Sequence, residues 1–189
     1  AQAIVHGVLS SGMLAKSDIV MSNTSGNSPV DGVECTVDNG YVAANSEYLV
    51  LAVKPQVFKS IAASLRPVNS AAVVSIMAGL KSEVVASALG ICGNIIRVMP
   101  NTPSKVGMGA TAIPENHCSG ESNRFCRKMF ESVGSTVYVP EKDFDAVTCV
   151  SGSGPAYVFY FIKAMTEGGI ANGLSPEVAK SLTLATVAG

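Results

Sequence analysis

Three short apolar runs restrict this chain more than any other feature. Residues 47–53 read Glu-Tyr-Leu-Val-Leu-Ala-Val, residues 71–76 read Ala-Ala-Val-Val-Ser-Ile, and residues 94–99 read Asn-Ile-Ile-Arg-Val-Met. Unbroken runs of this length, rich in β-branched side chains, suit strands covered on both faces. Helical patterns separate them. Val57, Ile61 and Leu65 recur at spacing four over residues 56–65, and Val84, Val85, Ala88 and Leu89 mark the next helix. Strand, helix, strand at this cadence predicts an α/β fold with a doubly wound, mostly parallel sheet and right-handed crossovers. Such sheets bind ligands beyond the carboxyl ends of their strands. The turns that follow the strands are therefore the places to look for function.

The flanking segments extend the pattern. Residues 1–9 read as a helix with Ile4 and Val8 on one face, residues 18–21 as a short strand, residues 34–37 as a brief extended piece and residues 39–45 as a weak helix. Residues 106–113 are Gly-rich and extended, residues 118–133 helical, and residues 135–139 a late strand, expected to be antiparallel. Beyond residue 141 the pattern is all helical: a short helix over 143–150, a long one over 156–172 and another opened by Ser175-Pro176-Glu177 as cap, first-turn proline and first-turn acid. The long helix carries an apolar face of Val158, Phe161, Ile162, Met165 and Gly169. A domain boundary is expected near Glu141, dividing residues 1–141 from residues 142–189.

Composition narrows the function. Of 189 residues, 48% are apolar and only 14% charged, against about 25% charged in an average domain. A sizeable core can form, and some apolar surface is expected to meet a partner chain. Thirteen basic and fourteen acidic side chains show no basic patch, which argues against nucleic acid. No apolar run approaches the roughly 20 residues of a membrane-spanning helix, and no signal-peptide pattern opens the chain. Cys35, Cys92, Cys118, Cys126 and Cys149 are scattered with no C-x-x-C pair, so reduced thiols in a cytoplasmic protein are expected. His6 and His117 stand far apart with no metal-ligand spacing, so no metal is expected, and His117 reads as a surface-loop residue.

Each turn carries a functional and a plain reading. Ser22-Asn23-Thr24 closes the first visible strand, where an acidic side chain would bind the ribose hydroxyl of NAD and small polar ones leave room for a 2′-phosphate. The plain reading is an ordinary turn. Ala52-Val53-Lys54-Pro55 places a cation at a strand end, either toward ribose and phosphate oxygens or simply in solvent. Ile76-Met77-Ala78-Gly79 offers small residues to a closely approaching ligand, or a tight turn. Pro100-Asn101-Thr102-Pro103 is a rigid polar loop suited to orienting a small substrate, or one stabilised by its prolines. Ser151-Gly152-Ser153-Gly154-Pro155 precedes the long helix as an anion-ready start or a packing hinge.

Taken in order, Ala52-Val53-Lys54-Pro55-Gln56, Arg97-Val98-Met99-Pro100-Asn101-Thr102-Pro103 and Asp145-Ala146-Val147-Thr148, leading into Val150-Ser151-Gly152-Ser153-Gly154-Pro155-Ala156-Tyr157, resemble the pyrroline-5-carboxylate reductase family. The likeness covers nearly the whole chain. It implies a Rossmann-like NAD(P)-binding domain followed by the start of an all-helical dimerisation domain, and NADPH- or NADH-dependent reduction of pyrroline-5-carboxylate to proline. The resemblance places Asn23 and Thr24 at the adenosine side and Asn39 as a cofactor-contacting residue. It lines the cofactor's ribose and nicotinamide side with Ala52, Val53, Lys54, Pro55, Ile76, Met77 and Ala78, and sets Asn101 and Thr102 on the substrate side. It names no catalytic acid or base. The expected partner is a small-molecule substrate, and the expected assembly a homo-oligomer.

Two features of the family are missing from these residues: a first strand with its Gly-rich fingerprint, which would precede Ala1, and a Gly-rich, Thr-bearing substrate loop, which would follow Gly189. Both ends read as cut through structural elements, so these 189 residues by themselves are expected to show little or no reductase activity. Two other classes fit the pattern. One is a different NAD(P)-dependent dehydrogenase with a helical second domain and a catalytic Lys in the long helix, where Lys163 is the candidate. The other is a non-catalytic dimerisation module.

Overall fold

A computed structural model of the chain describes residues 1–92, 94–115 and 120–189. The expectations for His117 and Cys118 fall outside the described residues.

The first helix, α1 (Gln2–Ser10), precedes two short strands, β1 (Val20–Ser22) and β2 (Glu34–Thr36). Then come α2 (Asn39–Asn45), β3 (Tyr48–Leu51), α3 (Pro55–Ile61), β4 (Ala72–Ser75), α4 (Ser82–Leu89) and β5 (Ile95–Arg97). β3, β4 and β5 form one parallel ladder, with Leu49 opposite Val73 and Val73 opposite Ile95. The side-chain period of two splits the core between the faces. Leu49, Leu51, Val73 and Ile95 join Phe58 of α3 and Val85 and Leu89 of α4. Val74, Ile96 and Val98 turn the other way, onto Ile4 and Val8 of α1. Runs that are apolar at every position are thus consumed by a sheet covered on both sides. Fully burying a side chain such as Val74 or Ile96 is worth roughly 1.5–3 kcal/mol.

β6 (Gly109–Pro114), α5 (Glu121–Glu131) and β7 (Gly134–Val139) complete this region. β7 pairs with β6 in parallel, not antiparallel as its late position suggested. The reason is the connection: a helix crosses between them, and α5 packs on the second core through Cys126, Met129 and Phe130. β6 joins the central ladder through an antiparallel bridge between Met99 and Ala112. β1 and β2 form their own parallel pair. Between β1 and β3 lies a cleft of about 750 Å³, walled by residues of α1, β1 and β3.

The remainder is helical. α6 (Phe144–Val147) runs into a π-helical turn, Thr148–Gly152, then α7 (Gly154–Ala171) and α8 (Pro176–Ala188). The last two pack together where Gly169 lets Ala179 approach; an added Cβ there would come within 3.2 Å of the alanine's. Ser175 caps α8, its hydroxyl oxygen accepting from the N–H of Val178 at 3.3 Å. The apolar face expected on α7 is not covered: Val158 and Phe161 are exposed, and no residue of α7 is buried. Ile162 and Met165 of that face are half-buried, and Gly169 lies against α8.

Candidate functional site at the carboxyl edge of the sheet

Because β3, β4 and β5 are parallel, the turns after them emerge side by side. The N–H of Ile76 donates to the carbonyl of Leu51 at 3.2 Å, and that of Val98 donates to Ser75 at 2.8 Å. Ala52, Ile76 and Val98 therefore leave the sheet along one line, and Lys54, Ala78 and Asn101 follow them on the same edge.

At the far end of this edge, β1 delivers Ser22 against α2, whose first residue is Asn39. The Ser22 hydroxyl donates to Asn39 Oδ1 at 2.8 Å. Among the described residues, Asn39 Nδ2 has no protein acceptor. Asn23 is spent on its own turn. Its Oδ1 accepts from the N–H groups of Ser25 and Gly26 and from the Ser25 hydroxyl, and its Nδ2 donates to the Asn27 carbonyl at 2.8 Å. That is the side-chain turn mimicry for which Asn is favoured. Thr24 is exposed next to it.

Lys54 occupies the N-cap position of α3 with its side chain exposed, and Pro55 opens the helix at its first position. Ala78 is exposed, and Gly79 follows at φ +75° with open space where a Cβ would stand. Met77 behaves differently: it is 1% exposed and belongs to the core beneath the edge, so its side chain is not at the crevice. Ile76 is half-buried against the opposite core. Asn101 and Thr102 lie beyond β5; Thr102 is exposed, while the Asn101 amide bridges to Ala110 and Ser151. Lys163 stands exposed on α7, 3.7 Å from Glu167.

One polar cluster escaped the sequence reading. Glu141 accepts from the N–H of Ser82 at 2.9 Å and from its hydroxyl at 2.7 Å, and lies 3.6 Å from Arg97 Nη1. Arg97 itself is buried, with its guanidinium 5.0 Å from the centre of the Phe144 ring. A lone Arg inside an apolar strand is the signal that a carboxylate must come from elsewhere. Partial burial, the largest single effect, would raise the Glu141 carboxyl; the two Ser82 donors and Arg97 together outweigh it and hold the group below its ordinary value. Cys126 is inert by contrast, because burial pushes its thiol up to about 12. Cys35, Cys92, Cys126 and Cys149 are all free thiols.

Residues 141–189 match the family described as pyrroline-5-carboxylate reductase dimerisation, and residues 1–79 match NADP oxidoreductase, coenzyme F420-dependent. A pyrroline-5-carboxylate reductase from Pisum sativum is 36% identical over 196 residues, covering 100% of this chain and 71% of the pea protein. The chain belongs to the pyrroline-5-carboxylate reductase family. One from Synechocystis sp. is 44% identical over 159 residues, covering 83% of this chain and 59% of that protein. The chain thus spans 59% to 71% of the length of these curated reductases. The crystal structure of the Plasmodium falciparum pyrroline carboxylate reductase with NADP bound superposes with a TM-score of 0.88 at 30% identity, covering 100% of this chain and 72% of that one.

Proposed function

We propose that this chain works in NAD(P)H-dependent reduction of 1-pyrroline-5-carboxylate to L-proline. The observation that carries the reading is the alignment of the turns after β3, β4 and β5 on one edge, with Asn39 and Ser22 at one end of it. The residues present fit a dinucleotide. Ala52 and Ala78 carry only a methyl, Gly79 has open space where a Cβ would stand, and Asn39 Nδ2 has no acceptor among the described residues. No acidic side chain occupies positions 22–25, which suits a 2′-phosphate as well as a hydroxyl.

When bound, the reduced nicotinamide supplies the hydride that adds to the imine carbon. The chain's own part is placement. Ala52, Val53, Lys54, Pro55, Ile76 and Ala78 line the cofactor's path, Met77 contributes through its backbone, and Asn23 and Thr24 form the turn at the adenosine end. Asn101 and Thr102 stand on the substrate side. An imine that is protonated in water needs no protein acid, so positioning accounts for most of the protein's contribution. In this reading residues 1–141 bind the dinucleotide and residues 142–189 begin the helical dimerisation region, in a cytoplasmic homo-oligomer.

The test is an assay of the protein as the cell makes it, with pyrroline-5-carboxylate and each nicotinamide, following cofactor oxidation. Imine-dependent oxidation is expected, and its absence overturns the reading. Thr24→Asp is expected to raise KM for NADPH about ten-fold or more and leave KM for NADH within about two-fold, since a carboxylate repels a 2′-phosphate but tolerates a hydroxyl.

The helical region supports the oligomer. Tyr157, Phe159, Tyr160 and Phe161 are all exposed on α7, and a helix turn with apolar side chains on every side belongs inside a larger assembly. Tyr160, 74% exposed, makes the test clean because most of its side chain stands clear of its own chain. Tyr160→Asp is expected to shift the light-scattering mass toward the monomer with the melting of the nucleotide-binding region unchanged.

A further inference from the structure

The Ser-Gly-Ser-Gly-Pro segment before α7 contains a backbone problem that its own helix does not solve. In a helix the carbonyl of Ser151 would accept from residue 155, but that residue is a proline and carries no N–H. The next candidate, the N–H of Ala156, is already taken by the carbonyl of Ser153 at 2.9 Å. The turn is π-helical here, with Ser153 N–H donating to Thr148 at 2.8 Å, so the Ser151 carbonyl is left to find a donor outside the helix. Asn101 supplies it: Nδ2 donates to that carbonyl at 3.2 Å. The other half of the same amide is fixed as well, because Oδ1 accepts from the N–H of Ala110 in β6 at 2.8 Å. Gly152 makes the approach possible, since a Cβ there would come within 2.8 Å of Met99 Cε.

Asn101 therefore ties the loop after β5 to the turn before α7. Between these two walls lies a crevice of about 370 Å³, lined by Asn101, Pro103, Ser151, Gly154, Pro155 and Phe159. Gly154 has open space where a Cβ would stand. The geometry points to Asn101 as a positioning residue that sets the width of this crevice through Ser151, both ends of its amide being used by the protein rather than by substrate. The inference rests on the reductase reading for what the crevice holds, a small cyclic imino acid, but not for the clip itself.

The proline makes the test specific. Asn101→Asp keeps the acceptor for Ala110 and turns the donor to Ser151 into a repelling oxygen. KM for pyrroline-5-carboxylate is expected to rise about ten-fold, with KM for NADPH within about two-fold. Pro155→Ala restores an N–H at position 155, giving the Ser151 carbonyl a partner in its own helix. In that background Asn101→Asp is expected to cost less than about three-fold. A residue touching substrate directly would cost the same in both backgrounds, and equal losses overturn the inference. Hydrogen exchange reads the clip without catalysis. Amides of residues 156–159 are expected to exchange faster in Asn101→Asp and to be protected again in the double variant, and unchanged exchange in the single variant refutes the clip. If the unmodified protein reduces no imine while exchange responds as stated, the reductase reading fails and the clip stands.

Discussion

Gly134→Ala is expected to be the most damaging single-methyl change in residues 1–141. Gly134 opens β7 at φ +151°, a conformation side chains rarely adopt. It also pairs with Gly109, and an added Cβ would sit 2.0 Å from that residue's carbonyl oxygen and 2.4 Å from its nitrogen. Both obstacles are backbone, so no rotamer change relieves them. Strained backbone costs about 1–3 kcal/mol and forced overpacking a similar amount, giving about 2–6 kcal/mol together. Set against a total stability of about 5–15 kcal/mol, that leaves much of the protein marginal. Gly107 supplies the control. It too has a left-handed backbone, at φ +73°, but nothing lies within 4 Å of its would-be Cβ. Gly107→Ala should therefore show only the conformational part, about 1–2 kcal/mol. Urea unfolding at unchanged slope separates the two. Equal losses would mean that the close pairing of β6 and β7 is not rigid.

What the sequence revealed and what it hid follow from the range of the interactions involved. The β3–β4–β5 ladder was legible because its strands are apolar at every position, and only burial on both faces explains that. Their parallel direction was legible because helical patterns separate them. The same logic applies to β7: the helix between β6 and β7 favours the parallel pair that forms. The turns after the strands were found because breakers end the runs at Pro55, Gly79 and Pro100. Their finer roles were not. Met77 and Ala78 are neighbours in one motif, yet strand alternation sends the first into the core and leaves the second exposed. Asn23 reads as a ligand contact by position, and four local hydrogen bonds show that its side chain also braces the turn. The α7 face was legible as apolar, but the sequence does not say whether a partner within the chain covers it. The pairs Asn101–Ser151 and Arg97–Glu141 join residues far apart along the chain, and no local spacing announces them.

Glu141 carries the second large effect, and its pH dependence gives the sharper test. Its carboxylate does two jobs from a distance. It caps α4, whose own N-cap position is Lys81 with no side-chain cap, and it faces the buried Arg97. Glu141→Ala removes both and leaves a guanidinium with 6% side-chain exposure opposite no counter-charge. Breaking a buried pair costs roughly 3–5 kcal/mol, and because Glu141 keeps 25% side-chain exposure the expected loss is nearer 2–4 kcal/mol with the cap included. Glu141→Gln keeps the shape and an acceptor for the Ser82 N–H, so it isolates the charge. The carboxyl is held below its ordinary value in the folded protein, so its ionisation stabilises the fold above the unfolded value of about 4.3. That contribution disappears as pH falls through the lower, folded value. The stability gap between the natural protein and Glu141→Gln is therefore expected to be flat near neutrality and to close progressively below about pH 4.3. A gap that stays constant into acid would show that the carboxylate's charge is not what holds Arg97. Replacing both partners, as Arg97→Met with Glu141→Leu, should recover most of the charge-related loss, because no buried ion is then left without its partner.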